Sequence, residues 1–293
     1  MACALVTNAQ RAAYESDGAV CLRGVIDDHW LAVLGAGFEH NLTNPSDRAS
    51  LFYGDAMSFV GLRDAETRGV YSGRDDLAVA PQFMNDVDNW RGVPEYEDFL
   101  FNSSVAELAA QVMGSAKVNL LLQDVMMKAP GNDLPTPWHQ DAPSQPLKGD
   151  QTCAVWIPLN PVARENSIEY VRGSHRWGEA YLQLGVDDPV AHYGPGVAAF
   201  SQTPDVASHR DDYDLVSWAV EPGDCIVHHG YALHGAPGNA GATTRRTFIA
   251  RWTGDDIRYF GAKQRQLRPQ YPDCRLKDGD IMDSDTFPVV WRA

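Results

Sequence analysis

Pro135-Thr136-Pro137-Trp138-His139-Gln140-Asp141 is a proline-broken segment that runs into an imidazole and a carboxylate two residues apart. In extended chain, residues i and i+2 point to the same face. His139 and Asp141 can therefore meet one ion from one side with no helix to place them. The run Val118–Lys128 upstream reads as a strand and ends in Lys128-Ala129-Pro130-Gly131, so the pair falls at a strand end. Gln140 points the other way and can brace a neighbour. A His-x-Asp alone is more often a loop histidine bonded to a nearby acid, so its weight depends on a partner elsewhere.

The partner lies in Pro222-Gly223-Asp224-Cys225-Ile226-Val227-His228-His229-Gly230-Tyr231-Ala232-Leu233-His234-Gly235. A Pro-Gly-Asp turn launches an apolar strand, and a short bend then presents His234. Its separation from Asp141 (234 − 141 = 93 residues) means that only tertiary folding unites them. His228 and His229 are rival ligands; at a strand end they read better as packing or hydrogen-bonding neighbours, which leaves His234 ahead. Two imidazoles and one carboxylate leave half of an octahedral metal open, the pattern of non-haem Fe(II) oxygenases. Eleven residues after His234 comes Arg245-Arg246-Thr247-Phe248-Ile249-Ala250-Arg251-Trp252. An arginine fork grips a carboxylate through two parallel hydrogen bonds. Strand alternation puts Arg245, Thr247, Ile249 and Arg251 on one face, so only one of the adjacent arginines points inward.

The whole chain sets limits on these readings. At 293 residues there is length for one large domain with a sizeable core. The formal charge is 24 − 39 = −15, which makes nucleic acid and anionic membrane poor partners. No apolar run approaches the ~20 residues that span a bilayer. Five scattered cysteines without a Cys-x-x-Cys indicate neither a disulfide framework nor a thiolate zinc site, and the amino terminus lacks the pattern of a signal peptide. A reducing cytoplasm is the expected location.

We expect a single domain over residues 1–293, with a partly helical part over about 1–115, a β core over about 116–254 and a tail over 255–293. Thr7-x-x-Gln10 and Ser104-x-x-Glu107 are capping boxes; Asp27 or Asp28 caps a helix carrying Trp30, Leu34 and Phe38; Pro94 suits a first helical turn and Gly114 a stop. Gly18–Gly24 frames a strand. From about Lys117 short strands follow one another: Val118–Lys128, Cys153–Pro158, Ser167–Val171, Leu215–Val220, Asp224–His229 and Arg246–Trp252, the texture of a sandwich or barrel. Residues 177–214 read as a long insertion or lid.

Taken together, these motifs resemble the phytanoyl-CoA dioxygenase family of Fe(II)- and 2-oxoglutarate-dependent oxygenases, which includes ectoine hydroxylase. The likeness runs from Gly18–Gly24 to about Gly254. It is carried by Trp138–Asp141, Trp156-Ile157-Pro158-Leu159, Glu165-Asn166-Ser167 with Gly173-Ser174-His175, and Gly223-Asp224 through His234 to Arg245. The resemblance implies a mainly β fold with flanking helices, the double-stranded β-helix or jelly roll of cupin-like proteins. It implies that His139, Asp141 and His234 bind Fe(II) and that Arg245 anchors 2-oxoglutarate. It also implies that Gln140, Trp156 and Gln123 line the cosubstrate pocket. Ser167 stands where the family usually has Gly, and Arg172 where it usually has Pro. Ala236 replaces a serine that often touches the cosubstrate carboxylate, a hydrogen bond that Thr247 or a water would have to supply.

The implied reaction uses O₂, converts 2-oxoglutarate to succinate and CO₂, and hydroxylates an unactivated C–H. Related halogenases carry a small residue at the position of Asp141. The preferred substrate is a small polar metabolite or natural product. Its contacts are expected from residues 177–214, from 50–90 and from the tail, with Trp90, Trp177, Tyr193, Phe200 and Arg258 on offer. Two other readings stand beside this one: a cupin-type metalloenzyme that needs no keto acid, and a non-catalytic metal-binding barrel. The direction of Arg245 separates them. Nothing in the sequence speaks to oligomeric state.

Overall fold

The computed structural model describes residues 5–52, 60–61, 81–181, 200–261 and 271–293. Among the described residues, four α-helices lie before residue 115: α1 (Asn8–Asp17), α2 (Asp28–Thr43), α3 (Pro94–Asn102) and α4 (Val105–Met113). Strands β1 (Ala19–Leu22), β2 (Ser50–Phe52), β3 (Val60–Gly61) and β4 (Phe83–Val87) are threaded among them. Then come β5 (Lys117–Lys128), β6 (Thr136–His139), β7 (Leu147–Lys148), β8 (Thr152–Pro158) and β9 (Glu169–Val171). The last are β10 (Leu215–Val216), β11 (Cys225–His229), β12 (His234–Ala236), β13 (Arg245–Thr253), β14 (Arg258–Tyr259) and β15 (Val289–Arg292).

The local signals act through identifiable bonds. The Thr7 hydroxyl accepts from the Gln10 amide while the Gln10 side chain bonds the Thr7 amide, a complete capping box. Asp27 accepts from the Trp30 amide, Pro94 occupies the first turn of α3, and α4 stops at Gly114 in the left-handed region. Ser104 makes no side-chain cap. Helices α3 and α4 are only two residues apart, and Ser104 sits at ψ 4°, which does not aim its hydroxyl at the helix; the Ser103 hydroxyl accepts from the Val105 amide instead.

The large sheet runs β1-β11-β8-β13-β5-β4-β2-β3, with β15 also pairing with β5. A smaller sheet runs β10-β9-β12-β6, and β14 pairs with β7. All the ladders are antiparallel. Leu215–Val220 shortens to Leu215–Val216, with Val220 making an isolated bridge to Val162. Ser167–Val171 starts at Glu169, because Arg164–Asn166 close a 3-10 turn first.

Alternation divides the large sheet into two chemistries. Phe248, Ala250, Val155, Ile157, Val125 and Met127 face the helices in one core with Phe38, Tyr96 and Phe99. Phe99 meets Phe248 edge-on at 5.4 Å between centroids. Each such buried ring contributes about 1.5–3 kcal/mol by leaving water. The other face looks toward the small sheet, where Ile249, Trp156, Ala154 and Ile226 pack with Tyr170. The candidate site lies on this second face. The tail crosses another end, with Tyr271, Met282 and Phe287 against Leu121, Leu122 and Leu147. Residues 182–199, the centre of the expected insertion, lie outside the described residues, as does Tyr193. Tyr181 and Ser201 form a bridge, so the insertion leaves and returns at adjacent points.

Candidate metal centre

Direct cross-strand partners share a face, so the register lays the inward residues of the large sheet out in rows. The first is Phe83, Lys128 and Arg245; the second is Asn85, Met126, Thr247 and Pro158. The third is Val87, Asp124, Ile249, Trp156, Ile226 and Cys21; the fourth is Leu122, Arg251, Ala154, His228 and Ala19. Opposite these rows, His139 on β6 is the direct partner of His234 on β12. Asp141 does not lie in extended chain: the strand ends at His139, and Asp141 is helical at φ −75°, ψ −49° before the turn Ala142–Ser144. The outcome expected from alternation is reached by a bend instead.

His139, Asp141 and His234 each offer a ligand atom, and these atoms lie within 4.8 Å of one another. Among the described residues this is the group of three able to hold a metal ion. The hydrogen bonds fit that role. Nδ1 of His139 donates to the Pro137 carbonyl at 2.8 Å, and Nδ1 of His234 donates to the Ala232 carbonyl at 2.9 Å. Carbonyls only accept, so both rings carry their proton on Nδ1 and turn the Nε2 lone pair to the shared space. Burial, with His139 and His228 close by, holds His234 well below the usual imidazole range. It is thus neutral, as a ligand must be.

The rivals are arranged differently. His228 Nδ1 faces the Tyr170 hydroxyl at 3.1 Å and its Nε2 faces Asp141 Oδ2 at 3.1 Å. A proton on Nε2 satisfies both contacts, which makes His228 a donor to the carboxylate. His229 Nδ1 accepts from the Tyr231 amide, and Nε2 lies 3.4 Å from Asp150. Its ring packs toward Tyr14 and His175, away from the group.

Asp141 is held from a second side by Arg251, whose Nε and Nη2 lie 3.0 Å from Oδ2 and Oδ1. The same guanidinium pairs with Asp124. Burial would raise the Asp141 pKa, but the charge of Arg251, with the hydrogen bond from His228, holds it well below the ordinary carboxylate range. Arg251 and Asp124 were not singled out as site residues from the sequence. Alternation gives the direction of Arg251, but no local pattern reveals that Asp124 and Asp141 flank it.

The remaining candidates divide. Arg245 points inward, is 5% exposed, and donates to the carbonyls of Asn166 and Pro237. Arg246 points outward to Glu39 and stacks over Phe38. A cavity of about 220 Å³ adjoins Arg245, walled in part by Asn160, Val162, Asn166 and Thr243. Trp156 and Thr247 lie on the inward face. The Thr247 hydroxyl has only a long contact, 3.4 Å, to the Met126 carbonyl. Gln140 is spent as a brace: Nε2 donates to the Tyr231 carbonyl and Oε1 accepts from the Tyr181 amide. Gln123 pairs with Ala250 on the helical side of the sheet, so it is not brought to the group; its neighbour Asp124 is.

A two-sheet jelly roll with two imidazoles and a carboxylate converging between its sheets defines a class of oxygen-using metalloenzymes. The model of the family described as phytanoyl-CoA dioxygenase matches residues 14–247, and the chain belongs to that family, whose members are 2-oxoglutarate-dependent dioxygenases using iron and O₂. A probable phytanoyl-CoA dioxygenase of Caenorhabditis elegans is 24% identical over 246 residues, covering 74% of this chain and 75% of that protein. Among solved structures, the non-heme alpha ketoglutarate dependent carbocyclase SnoK from nogalamycin biosynthesis superposes with a TM-score of 0.67 at 22% identity. That match covers 97% of this chain and 96% of SnoK. EctD from S. alaskensis, solved with 2-oxoglutarate and 5-hydroxyectoine, gives 0.58 at 17% identity over 87% of this chain and 78% of its own. At these identities the superpositions speak for the fold, and the fold is the expected jelly roll. Among the described residues, no helix is long and apolar enough to cross a membrane.

Proposed function

We propose that this enzyme hydroxylates an unactivated C–H of a small polar metabolite or natural product. In this reading His139, Asp141 and His234 hold Fe(II), and Arg245 anchors 2-oxoglutarate. When bound, iron with 2-oxoglutarate and O₂ supplies the oxidising chemistry, and succinate and CO₂ leave as coproducts. The carrying observation is Arg245, a buried inward guanidinium with no carboxylate partner among the described residues. It donates to the carbonyl of Pro237, three residues beyond His234, or about 10 Å of extended chain from that ligand. Such a fork, at that remove, suits the far carboxylate of a keto acid chelated at its other end. It also speaks against a cupin enzyme that needs no keto acid, and against a binding protein.

The chain's own part is orientation and exclusion. Backbone carbonyls fix the two imidazoles, Arg251 and His228 fix the carboxylate, and Trp156 and Ile249 keep the neighbouring wall dry. Asp141 fills the position that a small residue would leave open for halide, which favours hydroxylation. The four described cysteines are unpaired, in keeping with a reducing cytoplasm, and the charge of −15 favours a small-molecule partner over nucleic acid.

Anaerobic addition of Fe(II) and 2-oxoglutarate should produce a visible metal-to-ligand charge-transfer band. The band should be lost in Asp141→Ala and weakened in Arg245→Ala. No band in the wild type, or full bands in both variants, would sink the reading. Succinate release across a metabolite library then finds the substrate, and product analysis separates hydroxylation from ring closure or inversion. The latter matters because two solved neighbours are named a carbocyclase and an epimerase.

A further inference from the structure

On the face of the large sheet that holds the candidate site, two acceptor oxygens are left without a donor. Asp124 is 5% exposed; its Oδ2 accepts from Arg251, and its Oδ1 has no hydrogen-bond partner among the described residues. Asn85 on β4 faces the same way, because it is the direct partner of Met126 while its neighbour Met84 packs among the helices. Its Oδ1 is likewise buried and unbonded. Met126 and Asp124 are two positions apart on β5, so Asn85 and Asp124 are diagonal neighbours, about 7–8 Å apart at their backbones. A third group closes this corner. Arg48 lies two residues before Ser50, the β2 partner of Asn85. Its Nη1 donates to Asp88 at 2.5 Å, its Cζ lies 6.0 Å from the centre of the Tyr271 ring, and its Nε is buried without an acceptor.

Buried polar atoms are ordinarily bonded, because each one left over keeps the full cost of its lost water. Three such atoms in one corner mark a place where a bound molecule supplies the missing bonds. The corner borders the candidate metal centre, since the Arg251 guanidinium that takes Asp124 Oδ2 also takes both oxygens of Asp141. A molecule held on Asp124 Oδ1 therefore lies one guanidinium away from a candidate metal ligand. It is separate from the place of the keto acid: Arg245 pairs with Lys128, four positions from Asp124, or about 13 Å along the strand.

The bonds on offer select a chemistry. A ligand carboxylate would meet two unbonded acceptor oxygens and be repelled. An ammonium would enter beside two guanidiniums, Arg48 and Arg251, whose charges both already act on Asp124. A hydroxyl donates and accepts, so it can serve all three atoms. Burial raises the Asp124 pKa, and a hydroxyl can bond Oδ1 whether or not that oxygen carries a proton. Resting on the 2-oxoglutarate reading above, we propose that Asn85, Asp124 and Arg48 form the substrate-recognition corner, and that it takes a neutral, hydroxyl-bearing ring of the sugar kind. Asn85 and Asp124 accept from two hydroxyls of that ring, and Arg48 Nε donates to the oxygen of one of them. The three are specificity residues, and they decide which carbon of the ring faces the metal.

The test uses the protein loaded anaerobically with Fe(II) and 2-oxoglutarate, and a Zn(II)-loaded form beside it. The probes are the methyl glycosides of glucose, galactose and mannose, each with its amino-sugar and uronic-acid counterpart. Binding is read from the perturbation of the charge-transfer band and, independently of iron, from saturation-transfer NMR on the Zn(II) form. At least one neutral glycoside should bind roughly tenfold or more tightly than both charged counterparts. Removing its hydroxyls singly should reveal two whose loss weakens binding by roughly tenfold each. In Asn85→Ala the parent glycoside should weaken by about that factor, one of those two deoxy analogues should lose nothing further, and 2-oxoglutarate should stay within about twofold. Failure of every neutral glycoside to bind, tighter binding of a charged counterpart, or deoxy losses that are the same in Asn85→Ala as in the wild type would overturn the role of the corner. The deoxy series on the wild type needs no variant to fold, and an even loss across all hydroxyls there would overturn it too. A wild type with no charge-transfer band would remove the 2-oxoglutarate reading instead, and the NMR of the Zn(II) form would still decide the corner.

Discussion

The two oxygens of Asp141 have different surroundings, and the difference bears on how it would hold a metal. Oδ2 is taken by Arg251 Nε at 3.0 Å and His228 Nε2 at 3.1 Å. Among the described residues, Oδ1 accepts only from Arg251 Nη2, at 3.0 Å, and it faces His139 Nε2 at 3.7 Å, a separation suited to two atoms sharing an ion. Tyr170 fixes His228 from behind, and Asp124 fixes Arg251. The carboxylate is thereby prevented from rotating, with Oδ1, the oxygen nearer His139, turned toward the ligand group. Partners one shell out from a metal typically change its affinity by about 10–100-fold. Arg251→Gln should weaken binding of Co(II), read from its d–d absorption during titration, by a factor in that range, while Arg251→Lys recovers part of it. An unchanged titration in Arg251→Gln would mean that the fork does not set the geometry of Asp141. From the sequence, His139, Asp141, His234 and Arg245 could be chosen, because each sits in a local pattern with a chemical meaning. Arg251 and Asp124 could not, because their meaning lies in which neighbours the folded sheet gives them.

Among the elements, the termini were the most legible, since caps depend on bonds a few residues long. Thr7, Asp27, Pro94 and Gly114 all act where their types and spacing say they should. Ser104 fails for a reason of crowding between two helices, which spacing alone does not express. Gly18 joins the two kinds of information. It ends α1 at φ +81°, and its carbonyl accepts from the His229 amide. A Cβ there would lie 2.4 Å from His175 Nδ1, so the Gly-Ser-His turn can approach only a glycine. Gly18→Ala should cost about 1–2 kcal/mol for the left-handed backbone and about 1–3 more for the clash. In a His175→Ala background the second part should vanish and the first remain. Urea unfolding of the four proteins in that cycle measures both; equal costs in the two backgrounds would show that the contact with His175 is not what requires glycine.

At the scale of the molecule, the large sheet separates a helix-backed core on one face from the candidate site on the other, and the tail closes a third cluster beside the site. The change of texture near Lys117 announced the strand-rich core. The sequence did not reveal that β1 and β4, from the helical third, complete the same sheet, because their pairings span more than a hundred residues in the case of β1 and β11. Nor did it show how the tail is secured. Phe287 is fully buried, its ring 4.9 Å from that of Tyr271. The Tyr271 hydroxyl bonds the Leu121 carbonyl at 3.3 Å and Gln145 Oε1 at 3.2 Å. Gln145 follows the 3-10 turn that Asp141 opens, so the tail braces the very turn that sets the carboxylate. Phe287→Ala should therefore destabilise the protein by about 3–5 kcal/mol through transfer and cavity costs. It should also weaken Co(II) binding at temperatures where the variant is still folded. Arg292→Ala, which removes an exposed ion pair with Asp283, should change stability by no more than about 1 kcal/mol and leave metal binding alone. Paired urea and Co(II) titrations on both variants decide it. Loss of stability in Phe287→Ala with an unaltered Co(II) isotherm would mean that the tail supports the fold without reaching the site.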